Sequence, residues 1–359
     1  MKKLASFGVA VMIFLSFLTA VHICAITCLP KNDKELGYWV SYEKDASYLM
    51  LSENIADDAS LILGSSELRR FKRNVCNPYV LFNRDNLDVM CIGSAVNQSL
   101  NHAILVAALG PKVHSGKVVL ILSPTWFYSD RDSAGRYGMR FSKTFYHAAI
   151  SNNSLTPETR NKIRSITRDA FGGSEPVDFM EQEKDISRSV FAWLTSGQKD
   201  TRRAERKVQS GDIDFGRLMS ENEQTEGNRL NRRFNMYKNA KMLLPGVFDE
   251  SKGKNRNKNF ETSNEYEYLQ LFLDVCREQG IKPMLVLQPV NGKWYDYTGL
   301  SKEKRQVCYD RIREIASKNN VELADFSKNE YTQGFFSDSV HPSKKGWLMI
   351  NEQIYKYIK

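Results

Sequence analysis

Residues 60–68 read SLILGSSEL, a short apolar run followed at once by a Gly-Ser-Ser turn and a Glu-Leu pair. An apolar run of this length bounded by turn residues is the pattern of a strand buried on both faces, as in a parallel sheet. Ligand sites in such sheets gather at the carboxyl ends of the strands. The spacing predicts a helix opening at Glu67, whose N-terminus would aim free N–H groups at that edge. Gly64, Ser65 and Ser66 therefore stand where this class of fold does its chemistry. Ser66 has two readings, a helix cap and an exposed nucleophile, and this segment by itself favours the cap.

Four further runs repeat the pattern: Asp88–Gly93 (DVMCIG), Lys117–Ser123 (KVVLILS), Pro283–Gln288 (PMLVLQ) and Val321–Phe326 (VELADF). Each reads as a strand buried on both faces. Helical patterns lie between and after them, at Asn97–Leu109, Asn264–Gln279, Lys302–Lys318 and Ser343–Ile358. Strand alternating with helix implies right-handed crossovers and a parallel sheet covered on both sides. The expected fold is a three-layer α/β domain.

Residues 128–262 interrupt the alternation and are predicted to form a helical insertion, with helical spacing at Ser187–Leu194 and Leu230–Leu244. Between Lys199 and Lys258 there are 15 basic and 9 acidic residues, an excess of +6 that supplies most of the net +9 of the chain. The KGKNRNKN run within it reads as a solvated face, whereas the wider excess predicts a surface that meets a polyanion.

At 359 residues, with 42% apolar and 26% charged content, the chain has the composition of a folded protein rather than of a disordered one. Six cysteines with no Cys-x-x-Cys spacing argue against both a disulfide miniprotein and a structural zinc site. No metal or cofactor is expected.

Lys2 and Lys3 precede a run from Leu4 to Leu29 that carries no formal charge. As a helix it would be roughly 39 Å long, against a hydrocarbon core of roughly 30 Å. It is longer than the apolar core of a cleaved signal peptide, and no clean small-x-small site ends it. The expectation is an uncleaved, single-pass signal anchor at the cell membrane. Residues 1–3 would form a cytoplasmic tip, 4–29 the span and 30–359 an extracellular domain, with the lysines holding the N-terminus inside. An outside location makes nucleic acid a poor partner, and membrane lipid or a wall polyanion a good one. It also permits disulfides among Cys76, Cys91, Cys276 and Cys308, with the pairing open.

Near the C-terminus, FSDSVHPSKKGW (residues 336–347) places Asp338 and His341 three apart in a loop before the last helix. Of the five histidines, His102, His114 and His147 have no acidic residue within four positions. A carboxylate on one imidazole nitrogen leaves the other to face a nucleophile, the orientation used in serine catalysis. The loop follows the fifth strand, on the same sheet edge as Ser66.

GSSEL at residues 64–68, Gly93 after the second strand and Asp338-x-x-His341 resemble three sequence blocks of the SGNH/GDSL hydrolases. More specifically, the N-terminal anchor, GSSEL, SPTWF (123–127), PVNGKWYDYTG (289–299) and the terminal Asp-x-x-His-Pro-x-x-x-Gly-Trp resemble the DltD family, the D-alanyl-transfer proteins of teichoic acid D-alanylation in Gram-positive cell walls. The resemblance runs essentially end to end. It implies an acyltransferase with Ser66 as nucleophile, His341 as base, Asp338 as its orienting carboxylate and Gly93 as an oxyanion donor. It also implies as partners the teichoic acid polymer, a membrane-bound O-acyltransferase, and a D-alanyl carrier protein or a small membrane peptide. An esterase or thioesterase of the same fold and a non-enzymatic presentation module are the rival readings.

SGNH hydrolases carry Gly-x-Asn after the third strand, where this chain has Ser123-Pro124-Thr125. The expected oxyanion donors are then the backbone N–H after Ser66 and that of Gly93, with Asn97 or Asn291 as a third. Asn291, Lys293, Trp294 and Tyr295 follow the fourth strand and overhang the same edge. They read equally as a packed aromatic loop or as substrate contacts, with Lys293 neutralising phosphate and Trp294 and Tyr295 flanking a glycerol or sugar unit.

Overall fold

The computed structural model describes residues 2–69, 76–84, 87–174, 181–198 and 212–359. The strands in chain order are β1 (Ser60–Gly64), β2 (Val89–Gly93), β3 (Lys117–Leu122), β4 (Leu230–Asn231), β5 (Met236–Tyr237), β6 (Lys282–Leu287) and β7 (Glu322–Asp325). Five of them form one sheet, ordered β2-β1-β3-β6-β7, in which every neighbouring pair is parallel. The chain leaves β1 for β2 on one side and then returns to build β3, β6 and β7 on the other. That reversal opens a crevice at the carboxyl ends of β1 and β3. Gly64 and Gly93 end their strands side by side in the register of β1 with β2.

β1 and β2 are buried along their whole length, and β3 and β6 over most of theirs. These are the continuous apolar runs of strands covered on both faces. β7 departs from the expectation, since it begins and ends on exposed residues and is half-buried between them. It is an edge strand, and its Glu322 and Asp325 suit a position where one side meets water. Helices Ser99–Leu109 and Glu265–Glu278 pack together, with Gln279 Nε2 donating to Val106 O at 3.0 Å. Helix Lys302–Lys318 joins them, with the Arg311 guanidinium 4.0 Å from the Tyr266 ring centre. Helix Lys344–Ile358 is tied instead to the chain before helix Pro78–Arg84, through Asn351 Nδ2 to Cys76 O at 2.6 Å, and to β3, through Lys117 Nζ to Ile358 O at 2.6 Å.

The stretch 128–262 is mostly helical, with Ser133–Arg140, Lys143–Ser151, Pro157–Ala170, Glu181–Gln198 and Phe215–Glu226. It adds a layer over helix Ser99–Leu109, to which Asn152 Nδ2 donates at Ala107 O (2.8 Å). Phe141, Phe171 and Tyr137 meet edge to face or tilted within it, and Tyr137 and Tyr146 belong to the same apolar core as the sheet. The segment Leu230–Leu244 is not the helix its apolar spacing suggested. Asn231 Oδ1 accepts the amides of Arg233 and Phe234, and Asn235 takes φ 51°, which turns the chain back so that β5 pairs antiparallel with β4. Asparagine competing for local amides is what breaks the helix here. Several cations of this stretch carry a carboxylate partner, among them Arg217 with Glu221 (2.6 Å), Arg229 with Glu226 (3.2 Å), and Lys258 with Asp130. Residues 199–211 of the predicted basic surface lie outside the described residues.

The N-terminal run is a single helix, Lys2–Cys28, and its portion Lys3–Cys24 is apolar and long enough to cross a membrane, with none of it buried in the protein. At its end Leu29 enters the hydrophobic core. Cys76, Cys91, Cys276 and Cys308 are all buried, and the permitted disulfides among them are not formed. Burial pushes the Cys91 thiol up to about 12, and that of Cys276 up as well. Neither is a thiolate at neutral pH, and both pack as small apolar residues.

Candidate active site

β1 delivers its chain end into a turn rather than a helix. Residues 66–69 close on themselves through Arg69 N–H to Ser66 O at 3.2 Å, so the helix expected from Glu67 does not start there. The turn is held from inside by Glu67, a buried side chain whose carboxylate accepts the Ser65 amide. Burial raises its proton affinity, and the backbone hydrogen bonds work against that shift. Leu68 packs against the strand ends, where a Cβ on Gly64 would lie 2.9 Å and one on Gly93 2.6 Å from its Cδ1. Glycine is required at both positions for that packing. Ser65 is buried and donates to Ser94 O at 3.3 Å, while Ser66 stays half-buried with its hydroxyl outward.

The Asp338–His341 loop comes to the same place from 275 residues away. His341 Nε2 lies 2.9 Å from Ser66 Oγ, and His341 Nδ1 lies 2.9 Å from both Asp338 oxygens. The carboxylate holds the proton on Nδ1 and leaves Nε2 to accept from the serine. Asp338 Oδ1 also takes the amides of Val340 (3.0 Å) and His341 (2.9 Å), which winds the loop around the carboxylate. Ser337 N–H to His341 O (2.9 Å) and Ser343 N–H to Phe335 O (2.8 Å) close the base of the loop. Ser66, His341 and Asp338 thus stand in the sequential hydrogen-bonded arrangement that the spacing pointed to.

The oxyanion expectations fare differently. The Gly93 amide donates to Asp45 Oδ2 at 3.1 Å. In this arrangement the Gly93 amide is engaged by a carboxylate rather than open to an oxyanion. The reason is Asp45, which arrives on the short helix Tyr42–Ala46 from a segment that no motif flagged. It accepts from Ser94 Oγ at 3.1 Å and pairs with the fully buried Lys44 at 3.3 Å. Burial raises the Asp45 pKa, and Lys44 and Arg69 pull it back. Lys44 also donates to Cys91 O at 2.7 Å. Adjacent charged residues ahead of an apolar run are the only trace of this pair in the sequence, and they do not separate it from a solvated turn.

Asn291, Trp294 and Tyr295 are buried, which favours the packed-loop reading over the substrate-contact one. PVNGKWYDYTG builds a short helix, Gly292–Thr298, capped by Asn291 Oδ1 on the Trp294 amide (3.1 Å) and ended by Gly299 at φ 92°. Trp294 and Tyr297 pack with Phe234 and Phe248, which come from the β4–β5 turn and beyond it. Lys293 is half-buried, with Nζ 3.2 Å from both Arg232 O and Asn235 Oδ1. The motif is a support for the loop that holds the histidine, because the Asn291 amide donates to Ser339 O at 2.9 Å and its side chain to Phe234 O at 2.6 Å. Replacing Asn291 with Ala strands two buried backbone groups, and a loss of about 2–4 kcal/mol in denaturant unfolding is expected. A loss below about 0.5 kcal/mol would contradict this role.

His102, set aside in the sequence, lies directly beneath the site. It donates from Nε2 to Gly64 O at 3.0 Å, and burial pushes its pKa down to about 4, so it is neutral. Its ring stacks near Trp126 of the SPTWF motif, with the ring centres 6.4 Å apart.

The model of the DltD protein family matches residues 37–171 and 178–359. Among curated relatives, Protein DltD of Bacillus subtilis (strain 168) is 27% identical over 324 residues, covering 83% of this chain and 82% of its own. Protein DltD of Staphylococcus aureus (strain NCTC 8325 / PS 47) is 26% identical over 332 residues, covering 83% and 80%. Protein DltD of Lacticaseibacillus rhamnosus is 23% identical over 342 residues, covering 86% and 79%. With the family match extending through the turn of Ser66 to the loop of His341, the chain belongs to the DltD family.

Proposed function

We propose that this protein is a membrane-anchored extracellular acyltransferase that esterifies teichoic acid with D-alanine through Ser66, His341 and Asp338. The observation that carries the reading is the 2.9 Å approach of His341 Nε2 to Ser66 Oγ, with Asp338 on the opposite ring nitrogen. Ser66 Oγ attacks the carbonyl of an activated D-alanyl group. Its proton passes to His341, the bond to the donor's leaving group breaks, and that group leaves with the proton. A polymer hydroxyl then attacks the alanyl-serine ester and gives its proton to His341. The Oγ–carbonyl bond breaks and Ser66 is restored. Asp338 holds the imidazole in register throughout.

The DltD resemblance supplies the substrates and the partners of this reading: the polymer, a membrane-bound O-acyltransferase, and a D-alanyl carrier protein or small membrane peptide. The occupied amide of Gly93 favours a second reading, a presentation module that positions polymer without forming an acyl-enzyme. The two part on a covalent adduct. Mass spectrometry of full-length protein treated with a fluorophosphonate, or trapped during D-alanylation, should find the label on Ser66. Unlabelled Ser66 in active protein would favour presentation.

The domain after residue 29 should lie outside the cell, a reading that rests on Lys2 and Lys3 ahead of the apolar helix. Protease reaching the outer face of intact protoplasts should digest the domain. Protection until the membrane is breached would reverse the orientation.

A further inference from the structure

The segment after β2, Ser94–Ala95, is gripped by two guanidinium groups from distant parts of the chain. Arg69, on the turn of Ser66, donates from Nη1 to Ser94 Oγ at 3.1 Å. Arg140, ending the helix Ser133–Arg140, donates from Nε to Ala95 O at 2.6 Å and lies 4.5 Å over the Tyr42 ring. Both side chains are half-buried, and among the described residues neither has a carboxylate within ion-pair distance. Two buried acidic groups stand nearby: Asp45, paired with Lys44, and Glu67, whose carboxylate accepts the Ser65 amide. Lys44 pairs with Asp45 and the Glu67 carboxylate is turned inward on the Ser65 amide, which leaves the two guanidinium groups without a carboxylate partner at ion-pair distance. Each guanidinium is anchored by one N–H and keeps further donors, the fork geometry that suits phosphate oxygens. Ser65 Oγ bonds to Ser94 O, so this pair of arginines is coupled to the residue next to Ser66. Arg140 lines a recess at this edge of the sheet together with Tyr42, Asp45 and Ser94, and Arg69 reaches Ser94 from outside that lining.

We infer that Arg69 and Arg140 form a phosphodiester subsite that seats an acceptor polymer with a phosphate beside Ser66. The inference rests on the acyltransferase reading only for the identity of the acceptor. A polyol-phosphate chain carries its free hydroxyls between phosphates, so holding one phosphate brings a neighbouring hydroxyl to the serine. The cations of the 212–258 stretch that are paired with carboxylates have less to offer such a chain. The two arginines seat the phosphate at the serine, while the cations of that stretch without a carboxylate partner add a general attraction for the chain.

The test is binding without turnover. Full-length protein in detergent is titrated with a synthetic glycerol-phosphate oligomer at fixed ionic strength. Arg69→Gln and Arg140→Gln should each weaken binding about tenfold, and the double variant more, while Arg217→Gln, from a pair with Glu221, should match wild type. Arg140→Lys, which keeps the charge but not the fork, should fall between. Binding should weaken as salt rises, since the attraction is screened over a Debye length of about 8 Å at physiological ionic strength. In wild-type protein the oligomer should shield Arg69 and Arg140 from phenylglyoxal, a readout that does not depend on the variants folding. Wild-type affinity in the folded double variant, equal weakening in Arg217→Gln, or unshielded arginines would each overturn the inference. Failure of the Ser66 mechanism alone would leave these binding results unchanged.

Discussion

Ser66→Ala and His341→Ala should each cut polymer D-alanylation by at least about 10³-fold in purified, folded protein, and the double variant should be little worse than either. The expectation follows from the single chain of contacts Ser66–His341–Asp338, in which the hydroxyl is a nucleophile only while Nε2 accepts its proton. Members of such a unit are strongly non-additive, because losing one disables the others. Asp338→Asn should be severe but less complete, since it keeps the shape of the loop and loses the orientation of the ring. Ser65→Ala is the internal control. Its hydroxyl is buried on Ser94 O, and its loss should cost little activity. The helix-cap reading of Ser66 has no helix at residues 66–69 to cap. Wild-type rates in Ser66→Ala would end the acyl-serine mechanism, and a dead Ser65→Ala beside an active Ser66→Ala would move the nucleophile by one residue.

The second large effect concerns stability. Arg305 is fully buried and bonds to Glu330 through two nitrogens, at 2.7 and 2.9 Å, to Asp296 at 2.9 Å and to Tyr331 Oη at 3.0 Å. Tyr309 donates to the same Glu330 at 2.6 Å. Burial disfavours the charge on Arg305, but Glu330 and then Asp296 more than restore it, so its proton affinity rises above the ordinary value. Arg305→Met would leave the buried Glu330 carboxylate without its cation, and a loss of about 3–5 kcal/mol is expected. Urea unfolding monitored by circular dichroism measures it. The double variant Arg305→Met with Glu330→Leu should recover much of the loss, because a buried pair replaced as a unit removes the desolvation cost along with the attraction. A single variant within about 1 kcal/mol of wild type would show that the cluster contributes little. Asp296 belongs to the PVNGKWYDYTG motif, so the loss should loosen the support of the His341 loop as well.

Much of this architecture was legible in the chain. Five apolar runs became five parallel strands, and the predicted helices Lys302–Lys318 and Ser343–Ile358 match helices found at Lys302–Lys318 and Lys344–Ile358. Burial on both faces demands unbroken apolar runs, and right-handed crossovers leave few orders in which to lay them. What was not legible shares a cause. Leu230–Leu244 has helical spacing, but Asn231 and Asn235 bend it through local hydrogen bonds that periodicity does not weigh. Trp294 and Tyr295 stayed open to two readings because an aromatic loop at a sheet edge and an aromatic core look alike until their neighbours are known.

The sequence by itself determined the membrane-length helix and the parallel α/β class, and it offered Ser66, Asp338 and His341 as candidates. Each is written in local spacing or in residue type at a strand end. Only the tertiary structure decided which donors and charges surround them. Asp45 occupies the Gly93 amide, Asn291 turns inward to hold the Ser339 carbonyl, and Arg69 and Arg140 meet across Ser94–Ala95. Those contacts join residues 25 to 48 positions apart, and each depends on burial that removes water as a competing partner. Hydrogen bonds and charges of that kind acquire their energies from the packed interior, which exists only after the chain has folded.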